Sequence, residues 1–119
     1  MILVTEFMDD AAVDRLRAAH EVVYDAGLAD RQDEIPAMMP GVTALIVRNR
    51  TQVRPPLLDA APELACVGRL GVGLDNIDVP ACEGRGVKVY PATGANNLSV
   101  AEYVIGTARA TMMPSRQLI

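Results

Sequence analysis

Five short apolar runs recur along the chain: Ile2 to Val4, Val22 to Tyr24, Ala44 to Val47, Leu64 to Val67 and Val87 to Tyr90. Runs of this length without polar alternation read as strands buried on both faces, and their alternation with helical segments predicts a parallel α/β sheet. The first helix starts at the Asp9-Asp10 pair, which supplies a cap, and places Val13, Leu16 and Ala19 on one face ahead of His20. Pro36 would break a helix begun at Asp30 but fits a first turn capped by Asp33, so the second helix is short. Arg54, Pro55, Pro56, Leu57 and Leu58 open a third helix that Pro62 ends, and Asp78 caps a fourth that stops around Gly84 and Gly86. Ser99-Val100-Ala101-Glu102 has the form of a capping box, predicting a long helix to about Met113, where Pro114 blocks continuation.

Composition narrows the class. A chain of 119 residues and 12.7 kDa should fold to a surface of about 6,200 Å² from about 18,400 Å² unfolded, enough burial for one core. It is 50% hydrophobic and 22% charged with a net charge of -4, a globular balance that leaves no basic field for nucleic acid or anionic lipid. No apolar run approaches the roughly 20 residues of a membrane span, and no basic region precedes the apolar start, so a cytoplasmic protein is expected. Cys66 and Cys82 lack the paired spacing of a zinc site, and Cys66, within an apolar run, reads as a small hydrophobe. The methionine pairs read as packing and His20 as a helix-end residue, so no metal site is expected.

The candidate chemistry lies in three loops. In an open parallel sheet, ligands bind beyond the carboxyl ends of the strands. Arg48-Asn49-Arg50-Thr51 follows the third run, Arg69-Leu70-Gly71-Val72-Gly73 the fourth, and the small-residue stretch Pro91 to Asn97 the fifth. Gly71 and Gly73 allow a backbone turn that points N–H donors at a carboxylate, with Arg69 beside them. The same pair is no dinucleotide fingerprint. Asn76 occupies the third glycine position, and no acid lies between Lys88 and Asn97 to take a ribose hydroxyl. Arg48 and Arg50 suit charge-assisted bonds to an anion, or surface pairing with acids; Asn96 and Asn97 can donate to a ligand oxygen or hold the loop.

The runs Val47-Arg48-Asn49-Arg50-Thr51, Val67 through Asp78 (VGRLGVGLDNID) and Asn96-Asn97-Leu98-Ser99-Val100-Ala101-Glu102 resemble the D-isomer-specific 2-hydroxyacid dehydrogenases, phosphoglycerate dehydrogenase among them. The resemblance spans essentially the whole chain. It implies a flavodoxin-like, doubly wound five-stranded substrate domain over residues 1–98, then a linking helix over 99–119 that leads into an NAD-binding Rossmann domain. It also implies hydride passing between a nicotinamide, NAD or NADP, and a small 2-hydroxy or 2-keto acid. By motif position, Arg48 and Asn49 line the substrate pocket, the backbone at Val72 and Gly73 holds the substrate carboxylate, and Asn96 faces the cleft. Asn49 stands where many relatives carry serine, and Glu6-Phe7-Met8-Asp9 with Arg48 to Thr51 suggests a sulfolactate or malate-type branch. No position matches the family's catalytic Arg, Glu or His, so no catalytic, cofactor-binding or metal role is assigned within the chain.

The expected function is therefore the substrate-binding part of such a dehydrogenase, inactive by itself and binding no cofactor. The alternative is a stand-alone binding module for small carboxylates. Two or three charge-assisted bonds contribute about 3 to 9 kcal/mol gross against about 4 to 15 kcal/mol for immobilising a ligand, which limits that module to millimolar affinity or weaker. A phosphoacceptor receiver on the same topology is disfavoured, because Arg48 follows the third strand where a receiver needs a metal-binding acid. Val100, Val104, Ile105, Met112, Met113, Leu118 and Ile119 are expected to leave an exposed apolar helix that drives homo-oligomerisation.

Overall fold

The computed structural model describes residues 1–71, 73–92 and 97–111. The apolar runs form strands β1 (Ile2–Val4), β2 (Val22–Tyr24), β3 (Ala44–Val47), β4 (Cys66–Arg69) and β5 (Lys88–Pro91), all parallel and in the spatial order β2-β1-β3-β4-β5. Ile2 pairs with Ala44, Ala44 with Cys66 and Cys66 with Lys88, so the strands start level and all carboxyl ends reach one edge. The strand order reverses around β1, the topological switch point of a doubly wound flavodoxin-like fold.

The helices are α1 (Asp10–Ala19), α2 (Ile35–Met38), α3 (Pro55–Asp59), α4 (Val79–Gly84) and α5 (Asn97–Thr111), with a 3₁₀ segment over Leu28–Glu34. Because side chains alternate across a strand, Leu3, Leu45, Val47 and Val67 face one layer, where Ile35, Leu57, Leu58 and Cys82 cover them. Ile2, Val4, Ala44, Ile46 and Cys66 face the other, against Val13 and Leu16 of α1 and Val100, Val104 and Ile105 of α5. Each such aliphatic burial contributes about 1.5 to 3 kcal/mol. Among the described residues no helix is long and apolar enough to cross a membrane.

Gly68 of β4 lets α5 approach the sheet. A Cβ there would lie 2.8 Å from Val100 Cγ1 and 3.1 Å from Val104 Cγ2. Gly68→Ala is therefore expected to destabilise the fold by about 1 to 3 kcal/mol through overpacking, read from the urea midpoint at unchanged m-value.

Four expectations need correction. β4 runs over Cys66–Arg69 rather than starting at Leu64, because pairing with β3 carries it through Gly68 to Arg69. The cap position of α2 is Glu34, one residue beyond Asp33, since the 3₁₀ segment runs on to Glu34. The capping box does not form as drawn: α5 begins at Asn97, and the Glu102 carboxylate reaches Arg15 of α1 at 2.6 and 3.1 Å. Val100, Val104 and Ile105 are not exposed, being at most 2% accessible inside the chain's own core. The other four residues of that apolar group, Met112, Met113, Leu118 and Ile119, lie outside the described residues.

The expected cap residues of α1 and α4 hold their positions, but only that of α4 bonds the helix end through its side chain. Asp9 holds the cap position of α1, and the Asp78 carboxylate accepts from Ala81 N at 3.1 Å. Gly86, at φ 73°, stops α4 while Val87 N returns to Cys82 O at 2.9 Å.

Both cysteines are buried and free. Burial pushes the Cys66 thiol up to about 12 and raises that of Cys82. A folded-state value above the unfolded one stabilises fully below the unfolded value near 9 and is lost as pH rises towards 12. Both thiols are expected to resist a thiol-specific reagent at pH 8 and to react only on unfolding. Stoichiometric labelling of the native chain would contradict this.

Candidate functional site

Two of the three loops, with the start of the third, are knit together at the carboxyl edge of the sheet. The Arg48–Thr51 loop follows β3, and a single buried carboxylate organises it. Glu6, two residues beyond the end of β1, is 4% exposed. It accepts from Arg48 N at 2.7 Å, Thr51 N at 3.0 Å and Arg50 N at 3.1 Å. The loop thus forms a nest of amides around an anion supplied by the chain itself. Thr5 and Thr51 add a hydroxyl–hydroxyl bond of 2.8 Å.

Asn76, 3% exposed, grips the same loop from the other side. Its side-chain amide donates to Arg48 O at 2.9 Å and Thr51 O at 2.8 Å. Val53 N to Asn76 O at 2.8 Å and Asp78 N to Val53 O at 2.9 Å close a short parallel bridge beside it. Ala92 N donates to Gly71 O at 3.0 Å, which ties the end of β5 to the β4 loop.

These bonds leave certain groups at the edge. Arg48 is half-buried, with Nη1 reaching Phe7 O at 3.3 Å, and Asn49 is exposed. The Phe7 ring is 60% exposed on a segment fixed by Tyr24, whose hydroxyl meets Met8 N and Met8 O at 3.2 Å each. Arg50 turns away to an ion pair with Asp30. Nearby, the Gly27 amide holds the Asp25 carboxyl below its usual range, together with the Arg31 guanidinium.

Gly71 adopts φ 152° and spends its N–H on Arg69 O at 2.9 Å, so it does not serve as the amide donor expected of it. The Gly73 N–H meets no acceptor among the described residues. Of the five expected site residues, Arg48, Asn49 and Gly73 are therefore placed on the same edge, and Val72 and Asn96 lie outside the described residues.

A dinucleotide does not fit this glycine loop. The loop opens no helix: α4 starts only at Val79, and its first turn is capped by Asp78 where a pyrophosphate would need free amides. What the edge offers is arginine and amide donors, suited to holding the acid group of a small molecule.

Known proteins resemble this chain along most of its length. The sequence profile described as D-isomer specific 2-hydroxyacid dehydrogenase, catalytic domain, matches residues 2–117. The (S)-sulfolactate dehydrogenase of Chromohalobacter salexigens is 54% identical over 104 residues, 87% of this chain and 34% of that protein. The D-3-phosphoglycerate dehydrogenase of Archaeoglobus fulgidus is 37% identical over 105 residues, 87% of this chain and 20% of that one. Among solved structures, the NADPH-dependent glyoxylate/hydroxypyruvate reductase of Sinorhizobium meliloti, in complex with NADP and malonate, superimposes with a TM-score of 0.61. It is 32% identical, over 76% of this chain and 27% of that one. The chain thus spans about a third or less of the length of these relatives.

Proposed function

Because the chain belongs to the D-isomer specific 2-hydroxyacid dehydrogenase family, we propose that it is the substrate-binding part of an NAD(P)-dependent D-2-hydroxyacid dehydrogenase. One observation carries the reading: Asn76 ties the β4 loop directly to the Arg48–Thr51 loop, so both face one edge. In this reading Arg48 and Asn49 line the substrate pocket, the backbone at Val72 and Gly73 receives the substrate carboxylate, and Asn96 faces the cleft. Residues 1–98 make the substrate unit, and the helix from 99 leads towards a nucleotide-binding domain.

Hydride transfer needs a nicotinamide and a proton donor, and no residue of this chain is assigned to either task. The likeness to the sulfolactate enzyme favours a sulfolactate-type 2-hydroxy acid as substrate. Self-association rests on the sequence of residues 112–119; light scattering that finds only monomer at high concentration would count against it.

The test is a chimera. The matching segment of the Chromohalobacter sulfolactate dehydrogenase is replaced by this chain, and oxidation of sulfolactate is followed at 340 nm with NAD and with NADP. Turnover, reduced at least tenfold by Arg48→Met, supports the reading. A folded chimera without activity on any 2-hydroxy acid overturns it. The 119-residue chain alone, given NADH and 2-keto acids, is expected to show no turnover.

A further inference from the structure

Among the described side chains, four arginines are withdrawn from full exposure: Arg15, Arg31, Arg48 and Arg69. Arg15 is matched by Glu102 at 2.6 Å, and Arg31 by Asp25 and Glu34. Arg48 and Arg69 have no carboxylate within 4.0 Å among the described residues. These two leave the carboxyl ends of neighbouring parallel strands within one residue of register, since Val47 pairs with Arg69.

Arg69 is the more demanding case. It is 9% exposed, so its charge is buried without a counter-ion among the described residues, an arrangement that is strongly unfavourable unless something completes it. Of its five N–H groups, the hydrogen bond formed within the described residues is Nη1 to Leu70 O at 3.2 Å, and Nε is buried without a partner. The guanidinium lies in the crook of the glycine loop. A Cβ at Gly71 would collide with Nη1, and one at Gly73 would come within 3.5 Å of Nη2. The Gly73 amide, unmet among the described residues, belongs to the same turn.

We propose that Arg69 is the counter-charge for an oxyanion bound at the Gly73 amide. With Arg48 it makes the edge selective for small acids that carry two anionic groups, such as a carboxylate with a sulfonate or a second carboxylate. This rests on the acid-binding reading above. A buried cation and a half-buried one, neither with an acid beside it among the described residues, match a dianion, whereas a lactate-type monoanion leaves one of them uncompensated.

The experiment is thermal unfolding of the 119-residue chain, titrated with sodium malonate or sodium lactate at constant ionic strength held with sodium chloride. Malonate is expected to bind at least tenfold more tightly than lactate. Arg69→Met is expected to weaken malonate at least tenfold and to erase the preference. Arg69→Lys keeps the charge and serves where the methionine variant does not fold; it is expected to weaken malonate severalfold while malonate remains the better ligand. Malonate affinity unchanged in either folded variant makes Arg69 a support for the loop and overturns the proposal alone. Equal affinity for the two acids in the unaltered chain overturns the selectivity. No binding of either acid overturns the proposal and the acid-binding reading together.

Discussion

Glu6→Ala is expected to lower the unfolding free energy by roughly 2 to 5 kcal/mol, because the buried amide of Thr51 and the half-buried amides of Arg48 and Arg50 lose their shared acceptor. Against a total of about 5 to 15 kcal/mol for a domain of this kind, that is a large fraction. The melting temperature should fall by on the order of 10 °C. The reason is geometric. A carboxylate offers about four lone-pair sites, and that of Glu6 accepts from three backbone donors of one loop at once. Glu6→Gln keeps one acceptor oxygen but turns an NH₂ group towards the donors, so it should fall between the parent and the alanine variant. Urea titrations of the three proteins check the order. Alanine and parent curves that superimpose would show that the amides find water instead.

Asn76→Ala should cost about 2 to 4 kcal/mol, since the carbonyls of Arg48 and Thr51 each lose a donor. Both substitutions release the same four-residue loop from opposite sides, so their effects should not add. Once Glu6 is gone, the loop is already loosened and Asn76 has less left to hold. A double-mutant cycle is expected to return a coupling of about 0.5 to 3 kcal/mol. Strict additivity would mean that the two side chains hold independent structures, contrary to the account of one clamped loop.

Much of this architecture was legible in the sequence, for identifiable reasons. The strands announced themselves as short apolar runs without polar alternation: β1, β3 and β4 are buried on both faces, as with Ala44–Val47, where all four residues are buried, and the edge strands β2 and β5 keep the apolar pattern while partly exposed. The loops at the sheet edge followed from parallel connectivity and from the residues after Val47 and Val67. Glu6 and Asn76 were not legible as loop clamps. A glutamate after a three-residue strand looks like surface charge, and its burial depends on amides 42 to 45 positions away. The available signal was its place at the end of β1, the strand at the switch point. Likewise, the local spacing of Ser99 and Glu102 pointed to a capping box, but Arg15, 87 positions away, holds that carboxylate instead.

The central claim is that the Arg48–Thr51 loop and the Gly71–Gly73 loop face one hollow that receives a small acid. The most direct measurement is an amide-resolved NMR titration of the 119-residue chain with malonate. The amides of Arg48, Asn49 and Gly73 should shift together along one isotherm, with those of His20 and Glu21 at the opposite edge unmoved. Shifts centred on the opposite edge, or isotherms that differ between the two loops, would contradict the claim.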